Sequence, residues 1–253
     1  MIKRLADKKD IAVEQVREIS KFLSLKPYMA PYKIVLIINF EDANQNSQNA
    51  LLKTLEEAPD YAVLLLTAEN GEQLLPTIVS RCEILRLRPL MVEAVTDFLI
   101  ERGVDAEKAR LMAHLSGGCP GTALQLSSDE RALAFRTEKL DDLRRLLAAK
   151  RHERFHYAEK LTKERDKEKE FFRQTLLIWL SYWRDVLLKT SGAQAALINI
   201  DRAEEIEHLT YEVDRPLARA ITLGLEKAVE RLEKNVNPRL LAEVTLMDWP
   251  RIK

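Results

Sequence analysis

Tyr32-Lys-Ile-Val-Leu-Ile-Ile38, Asn49-Ala-Leu-Leu-Lys-Thr-Leu-Glu-Glu57, Val63-Leu-Leu-Leu66 and Leu74-Leu-Pro-Thr-Ile-Val-Ser-Arg-Cys82 are the segments from which the fold is read. Residues 32–38 are too few for a helix of that hydrophobicity and show no polar alternation, which predicts a strand buried on both faces. Asn44, Asn46 and Ser47 offer N-caps for a helix through Glu57. On it Leu51, Leu55 and Ala58 share one face, and Asn49, Lys53 and Glu57 share the opposite one. Val63–Leu66 predicts a second buried strand, and Glu83–Arg88 a third that Pro89 closes. Strand, helix, strand, short helix, strand is a parallel α/β arrangement. Three strands are few for such a sheet, so one edge is expected to be incomplete.

Outward from this block the signals are helical. Val16, Ile19 and Leu23 space an amphipathic helix behind a cap at Asp10. After Pro89, 92–102 and 106–116 read as two short helices, and Gly117-Gly-Cys-Pro-Gly121 breaks them before a third element at Thr122. From Ser128 onward everything reads as helical. Phe172, Leu176, Trp179, Trp183 and Leu187 follow one helical stripe, and Leu217, Ile221, Leu225, Ala228 and Leu232 follow another. Asp214 with Pro216, and Asn237 with Pro238, are helix starts; Trp249-Pro250 ends the last helix. The expected class is mainly α with a partial α/β sheet.

Composition narrows the function classes. In 253 residues, 40 lysines and arginines balance 40 aspartates and glutamates, so there is no global positive field to hold a DNA duplex by counterion release. Two cysteines, Cys82 and Cys119, fall short of a disulfide framework or a four-cysteine zinc site and fit a reducing compartment. No stretch reaches the roughly 18 apolar residues of a membrane span, and Met1-Ile-Lys-Arg4 leads into charged sequence, so a cytoplasmic location is expected.

In order and spacing, Ile34–Ile38, Ala50-Leu-Leu-Lys-Thr-Leu-Glu-Glu57, Leu74–Ile78 and Ser80-Arg-Cys82 resemble the second half of the ATPase domain of bacterial clamp loaders, AAA+ machines that open a sliding clamp for DNA polymerase III. Trp179-Leu-Ser-Tyr-Trp-Arg-Asp185, Asn199 with Asp201, and Leu232–Pro250 with Asn237-Pro-Arg239 resemble the helical collar of delta-prime-type subunits. The resemblance covers about the last four fifths of the chain. It implies three parts: the C-terminal portion of an AAA+ domain (1–89), a small helical lid (90–127) and a collar for oligomerisation (128–253). The family's phosphate-loop portion has no counterpart here.

The resemblance also assigns roles. Ser80, Arg81 and Cys82 occupy the position from which the family pushes an arginine into the neighbouring subunit's ATP site. A planar, permanently charged guanidinium suits that task, because it can bridge phosphate oxygens as charge develops. Lys53, Glu56 and Glu57 become subunit-interface candidates, beside their plainer reading as a solvated helix surface. The chain itself is expected not to hydrolyse ATP. None of its seven glycines begins a G-x-x-x-x-G-K-[ST] loop. Ile38 and Asn39 stand where active members carry the magnesium aspartate and its neighbouring glutamate, and Glu41 and Asp42 come three residues too late. Gly121 replaces the lid's sensing arginine. The implied function is a non-hydrolysing stator in clamp loading, with no cofactor or metal of its own. Its implied partners are other clamp-loader subunits in a hetero-oligomeric ring, the sliding clamp, and DNA through the complex.

One motif points to another class. His152-Glu-Arg-Phe-His156 satisfies the H-E-x-x-H zincin pattern of a zinc-dependent peptidase. It sits among Lys150, Arg151, Arg154, Lys160 and Lys163, a cationic setting that opposes a divalent ion, and Glu170 is the one candidate third ligand. The charge-dense run 150–170 is therefore expected to be a solvated helix face. A fragment of an ATPase-competent clamp-loader subunit is the third alternative, opposed by Ile38, Asn39 and Gly121.

Overall fold

A computed structural model describes residues 11–28, 30–162, 168–234 and 236–252. It divides into two compact units, residues 1–87 and 88–253.

The first unit is a strand–helix–strand element with flanking helices. In order it holds α1 (Val13–Ser24), β1 (Lys33–Ile37), α2 (Gln45–Glu56), β2 (Ala62–Leu66) and the short α3 (Pro76–Val79). The two strands pair in parallel, with Ile34 opposite Val63 and Ile37 opposite Leu66. Val16, Ile19 and Leu23 of α1, Val35 and Ile37 of β1, Leu51 of α2 and Ile78 of α3 share one core with Phe40. Asp10, the expected cap of α1, lies outside the described residues; Gln15 instead accepts the Ala12 N–H at 3.1 Å. The first turn of α2 is satisfied by Asn44, whose side chain accepts from Ser47 N at 3.0 Å. Ser47 Oγ donates to Ile11 O at 2.7 Å and so ties α2 to the start of α1.

Two sequence expectations change here. The apolar runs are buried on one face, not two: Val35 and Ile37 face the core, while Ile34 is 63% and Leu65 47% exposed. A strand's side chains alternate between faces, and an unbroken apolar run hides which face is covered. Glu83–Arg88 is an exposed segment outside the sheet, whose described strands are β1 and β2 alone. Strand geometry needs a ladder partner for its backbone groups, and this segment has none among the described residues.

The second unit is helical: α4 (Val92–Ile100), α5 (Ala106–Leu115), α6 (Pro120–Ser128), α7 (Glu130–Ala148), α8 (Arg151–Leu161), α9 (Glu168–Thr190), α10 (Ala203–Leu209), α11 (Arg215–Glu233) and α12 (Pro238–Met247). α6 begins at Pro120 rather than Thr122, because proline at the first helical position gives up an N–H that has no partner there anyway. Gly118 precedes it at φ +86°, and a Cβ there would lie 2.5 Å from Leu90 O, so only glycine fits. Val95, Leu99, Met112 and Ala123 form a small core of α4–α6.

A larger core joins α7–α12, centred on Trp179 and Trp183, both fully buried. Trp249 meets Trp179 edge-on at 4.9 Å between ring centres. Trp179 Nε1 donates to Lys139 O at 2.8 Å. Polar ties cross this unit, buried at Asp185 and nearer the surface at Arg136 and Asp201. Asp185 accepts from the backbone N–H groups of Ile198 (2.9 Å) and Asn199 (2.7 Å) and from Asn199 Nδ2 (2.9 Å). Arg136 grips both carboxylate oxygens of Asp201 at 2.7 Å and donates to Asn199 Oδ1 at 2.8 Å.

In the described part of the run 150–170, Arg151, His152, Glu153, His156 and Lys160 lie on the expected exposed face, and Arg154, Tyr157 and Ala158 form a buried face opposite. Arg154 on α8 is 4% exposed. Its guanidinium donates to five carbonyls: Leu146 and Leu147 near the end of α7, Leu246 near the end of α12, and Trp249 and Pro250 beyond it. Helix C-termini leave carbonyls without intrahelical donors, and one planar cation with five N–H groups serves both ends. Burial, with Arg251 and Arg151 nearby, lowers its pKa below the usual arginine value.

Candidate functional site

The expected finger segment follows α3 in the first unit. Its placement begins at Gln48, buried on α2: Nε2 donates to Ala43 O at 3.0 Å and Oε1 accepts from Leu75 N at 2.8 Å. That bond fixes the chain entering α3. Pro76 occupies the first turn, and Ile78, 1% exposed, plugs α3 into the core. Helical hydrogen bonds continue past the last turn, with Arg81 N donating to Ile78 O at 3.0 Å and Cys82 N to Val79 O at 3.4 Å.

The three residues then diverge. Ser80 is exposed and its Oγ donates to Thr77 O at 3.2 Å. Cys82 is half-buried against the core, and burial pushes its thiol pKa up, so it stays a protonated packing group. Arg81 lies at the surface. Its Nη1 donates to Thr77 O at 3.0 Å, and its Nη2 meets Glu56 Oε1 at 2.6 Å. With side chains 38% and 49% exposed, such a pair is solvent-screened and worth roughly 0.2–1 kcal/mol.

The structure therefore joins Arg81 to one of the interface candidates, Glu56. Lys53 and Glu57 are exposed on and just after the same helix and do not take part in this contact. The Arg81–Glu56 pair is the element that sequence reasoning missed. The residues are distant in sequence, and only the docking of α3 onto α2 through Gln48 brings them together.

At the end of β1 the chain turns sharply. Asn39 is left-handed at φ +54°, the sole non-glycine at positive φ among the described residues, and asparagine tolerates that region better than most residues. Thr67 holds the turn, its Oγ1 accepting from Asn39 N at 3.0 Å and its carbonyl from Phe40 N at 2.8 Å. Glu41 Oε1 accepts from Glu69 N at 3.1 Å, so this carboxylate braces the adjoining loop. Gly121 is exposed in the first turn of α6 with open space where a Cβ would sit.

The H-E-x-x-H residues do not converge. His152 and His156 are exposed on α8, while Glu153 Oε2 accepts from Lys150 N at 2.6 Å as a capping contact. Arg154 between them points into the core. Among the described residues, no group of three or more His, Cys, Asp or Glu side chains is placed to hold a metal ion. No described helix is long and apolar enough to cross a membrane.

Comparison with known proteins bears on this geometry. The family described as "DNA polymerase III, delta subunit" matches residues 2–91. The DNA polymerase III subunit delta' of Bacillus subtilis is 31% identical over 212 residues, 83% of this chain and 64% of that protein. The delta' subunit of Escherichia coli is 32% identical over 156 residues, 58% of this chain and 46% of the relative. The chain thus spans less than two thirds of the length of either. Among solved structures, a DNA polymerase III gamma-subunit-related protein from Thermotoga maritima aligns over 99% of this chain and 83% of its own, with a TM-score of 0.50 and 20% identity, a likeness of fold.

Proposed function

The chain is a relative of the delta' subunits of bacterial DNA polymerase III, and on that premise we propose that it serves as a non-hydrolysing clamp-loader subunit that lends Arg81 to the ATP site of a neighbouring subunit. The observation that carries this reading is Arg81 itself: a surface guanidinium, set on a rim fixed by Gln48 and Ile78, at the family's finger position. The developing charge of phosphoryl transfer is what such a group stabilises. Ile38 and Asn39 offer no carboxylate to magnesium, and one oxygen of Glu41 is held by the Glu69 N–H, which supports a subunit that assists hydrolysis without performing it.

In this reading residues 1–89 form the ATPase-like wedge, 90–127 the lid and 128–253 the collar that holds the subunit in a hetero-oligomeric ring, in the cytoplasm. Lys53 and Glu57 face a neighbouring subunit. The sliding clamp and DNA are reached through the complex.

Titration of the isolated chain with ATP and magnesium in a calorimeter tests the non-hydrolysing half of the proposal. The expected result is no saturable heat. A saturable micromolar site would overturn it.

A further inference from the structure

We propose that Glu56 parks Arg81: it holds the guanidinium against its own chain and competes for it with the neighbouring subunit's phosphate, so that the finger is exchanged from carboxylate to nucleotide. This inference rests on the finger role proposed above and adds a regulating residue to it.

Arg81 folds back. Its Nη1 bonds the carbonyl of Thr77, four residues earlier, and its Nη2 meets Glu56 at the last residue of α2. Both acceptors belong to the same unit as the arginine, so in this conformation the side chain is engaged at home. The pairing is built by the fold: Gln48 bridges α2 to the chain entering α3, and Ile78 seats α3 in the core. These contacts set the separation of the Glu56 and Arg81 backbones.

The geometry also sets the carboxylate in competition with a phosphate. An oxyanion grips a guanidinium bidentately either end-on, through both terminal nitrogens, or side-on, through Nε and one of them. Glu56 takes one N–H of Nη2 and Thr77 O one N–H of Nη1, which leaves three of the five donors. A phosphate approaching the same fork meets the like charge of the Glu56 carboxylate, and it is this repulsion that sets the two anions in competition for Arg81.

The strength of the contact suits an exchange. Exposed ion pairs bias an equilibrium by about fivefold at most, which restrains the arginine without locking it. A phosphate beside a metal ion in a water-poor interface is the stronger partner, since charge-assisted bonds strengthen as the dielectric falls.

The test uses the chain reconstituted with ATP-hydrolysing subunits, primed DNA and clamp. Steady-state hydrolysis is measured against ATP concentration for wild type, Glu56→Gln, Arg81→Ala and the double variant. Glu56→Gln is isosteric at a half-exposed position, and an unchanged melting temperature verifies that it folds. The expected result is a fall of about two- to fivefold in the ATP concentration giving half-maximal rate, with the maximal rate within about twofold of wild type. In the Arg81→Ala background Glu56→Gln should change nothing. A slower maximal rate for Glu56→Gln would make it an aiming residue and overturn parking. So would an unchanged half-saturation, or the same shift in the Arg81→Ala background. Arg81→Ala hydrolysing at the wild-type rate would remove the finger, and parking with it. Arg81→Ala slowed, with Glu56→Gln indistinguishable from wild type, would remove parking alone.

Discussion

In the unit of residues 1–87 the sheet carries Val35 and Ile37 into a core on one side and leaves Ile34 and Leu65 in solvent on the other. In the unit of residues 88–253, Trp179 and Trp183 are fully buried, and Asp185 and Arg154 tie buried backbone groups of the same unit. One unit keeps an apolar sheet face unburied by the described residues; the other encloses its tryptophans. The contrast teaches where single substitutions should tell. Changes at the enclosed unit's buried ties should be felt as stability, and changes on the open unit's surface should be felt as function. The arginine argued to act on a neighbour lies in the open unit.

All three tryptophans lie in residues 88–253, so their fluorescence reports on that unit alone and can test the contrast directly. The largest stability effect is expected from Arg154→Ala. It removes five donors at once; Leu146 O and Leu147 O keep the N–H groups of Ala149 and Ile252, while the carbonyls of Leu246, Trp249 and Pro250 lose their guanidinium donors, each worth about 1–3 kcal/mol when left unsatisfied, and with partial relaxation the total loss should be about 3–5 kcal/mol. Denaturant unfolding followed by tryptophan emission measures it. A loss below about 1 kcal/mol would mean the enclosed unit does not depend on this clamp. Asp185→Asn comes next at about 2–3 kcal/mol, because an amide that keeps its oxygen on Asn199 turns its NH2 toward the Ile198 N–H and the Arg184 guanidinium, the donors that now reach Asp185 Oδ1, and the charged acceptor is lost.

Acid should act on the same unit. Burial alone would raise the Asp201 carboxyl, but the hydrogen bonds and charge of Arg136 outweigh it and hold the folded pKa below the ordinary aspartate value. At Asp142 burial is likewise outweighed, by Tyr157, Arg145 and Lys139. A depressed folded pKa contributes stability above the unfolded pKa of about 3.9 and loses it as pH falls toward the folded value. Tryptophan-monitored stability should therefore hold near neutrality and decline below about pH 4. Arg136→Ala should flatten the Asp201 share of that decline. Smallest of all, Leu65→Thr on the open sheet face should shift stability by no more than about 0.5 kcal/mol. A loss above about 2 kcal/mol there, read by far-ultraviolet circular dichroism, would show that the face is covered after all.

Much of the fold was legible in the sequence for local reasons. Asn44, Asp214 and Asn237 read as helix starts and act as N-caps, because a cap is decided within a few residues. The tryptophan stripe read as core because helical spacing puts its members on one face. What failed to show was non-local. The run Ile34–Ile38 carries no alternation to say which face is covered, and 83–88 has strand-like residues without a ladder partner among the described residues. Arg154 was hidden among charges, although its spacing with Tyr157, Ala158 and Leu161, at i, i+3, i+4 and i+7, was the available sign that it belongs to the buried stripe of α8. Arg81 is singled out by family order alone, whereas its contact with Glu56 depends on how α3 docks on α2.

The most direct test of the central claim is steady-state ATP hydrolysis by a reconstituted complex with primed DNA and clamp, comparing wild type, Arg81→Ala and Arg81→Lys at equal subunit occupancy. Trans-acting arginines supply about 10³–10⁵ in rate where one site is read alone, and a ring with other working sites will show less. The account predicts an intact complex with slowed hydrolysis for Arg81→Ala and poor rescue by Arg81→Lys, since an ammonium cannot reproduce the guanidinium fork. Equal rates for all three chains would contradict it and leave Arg81 a surface residue paired with Glu56.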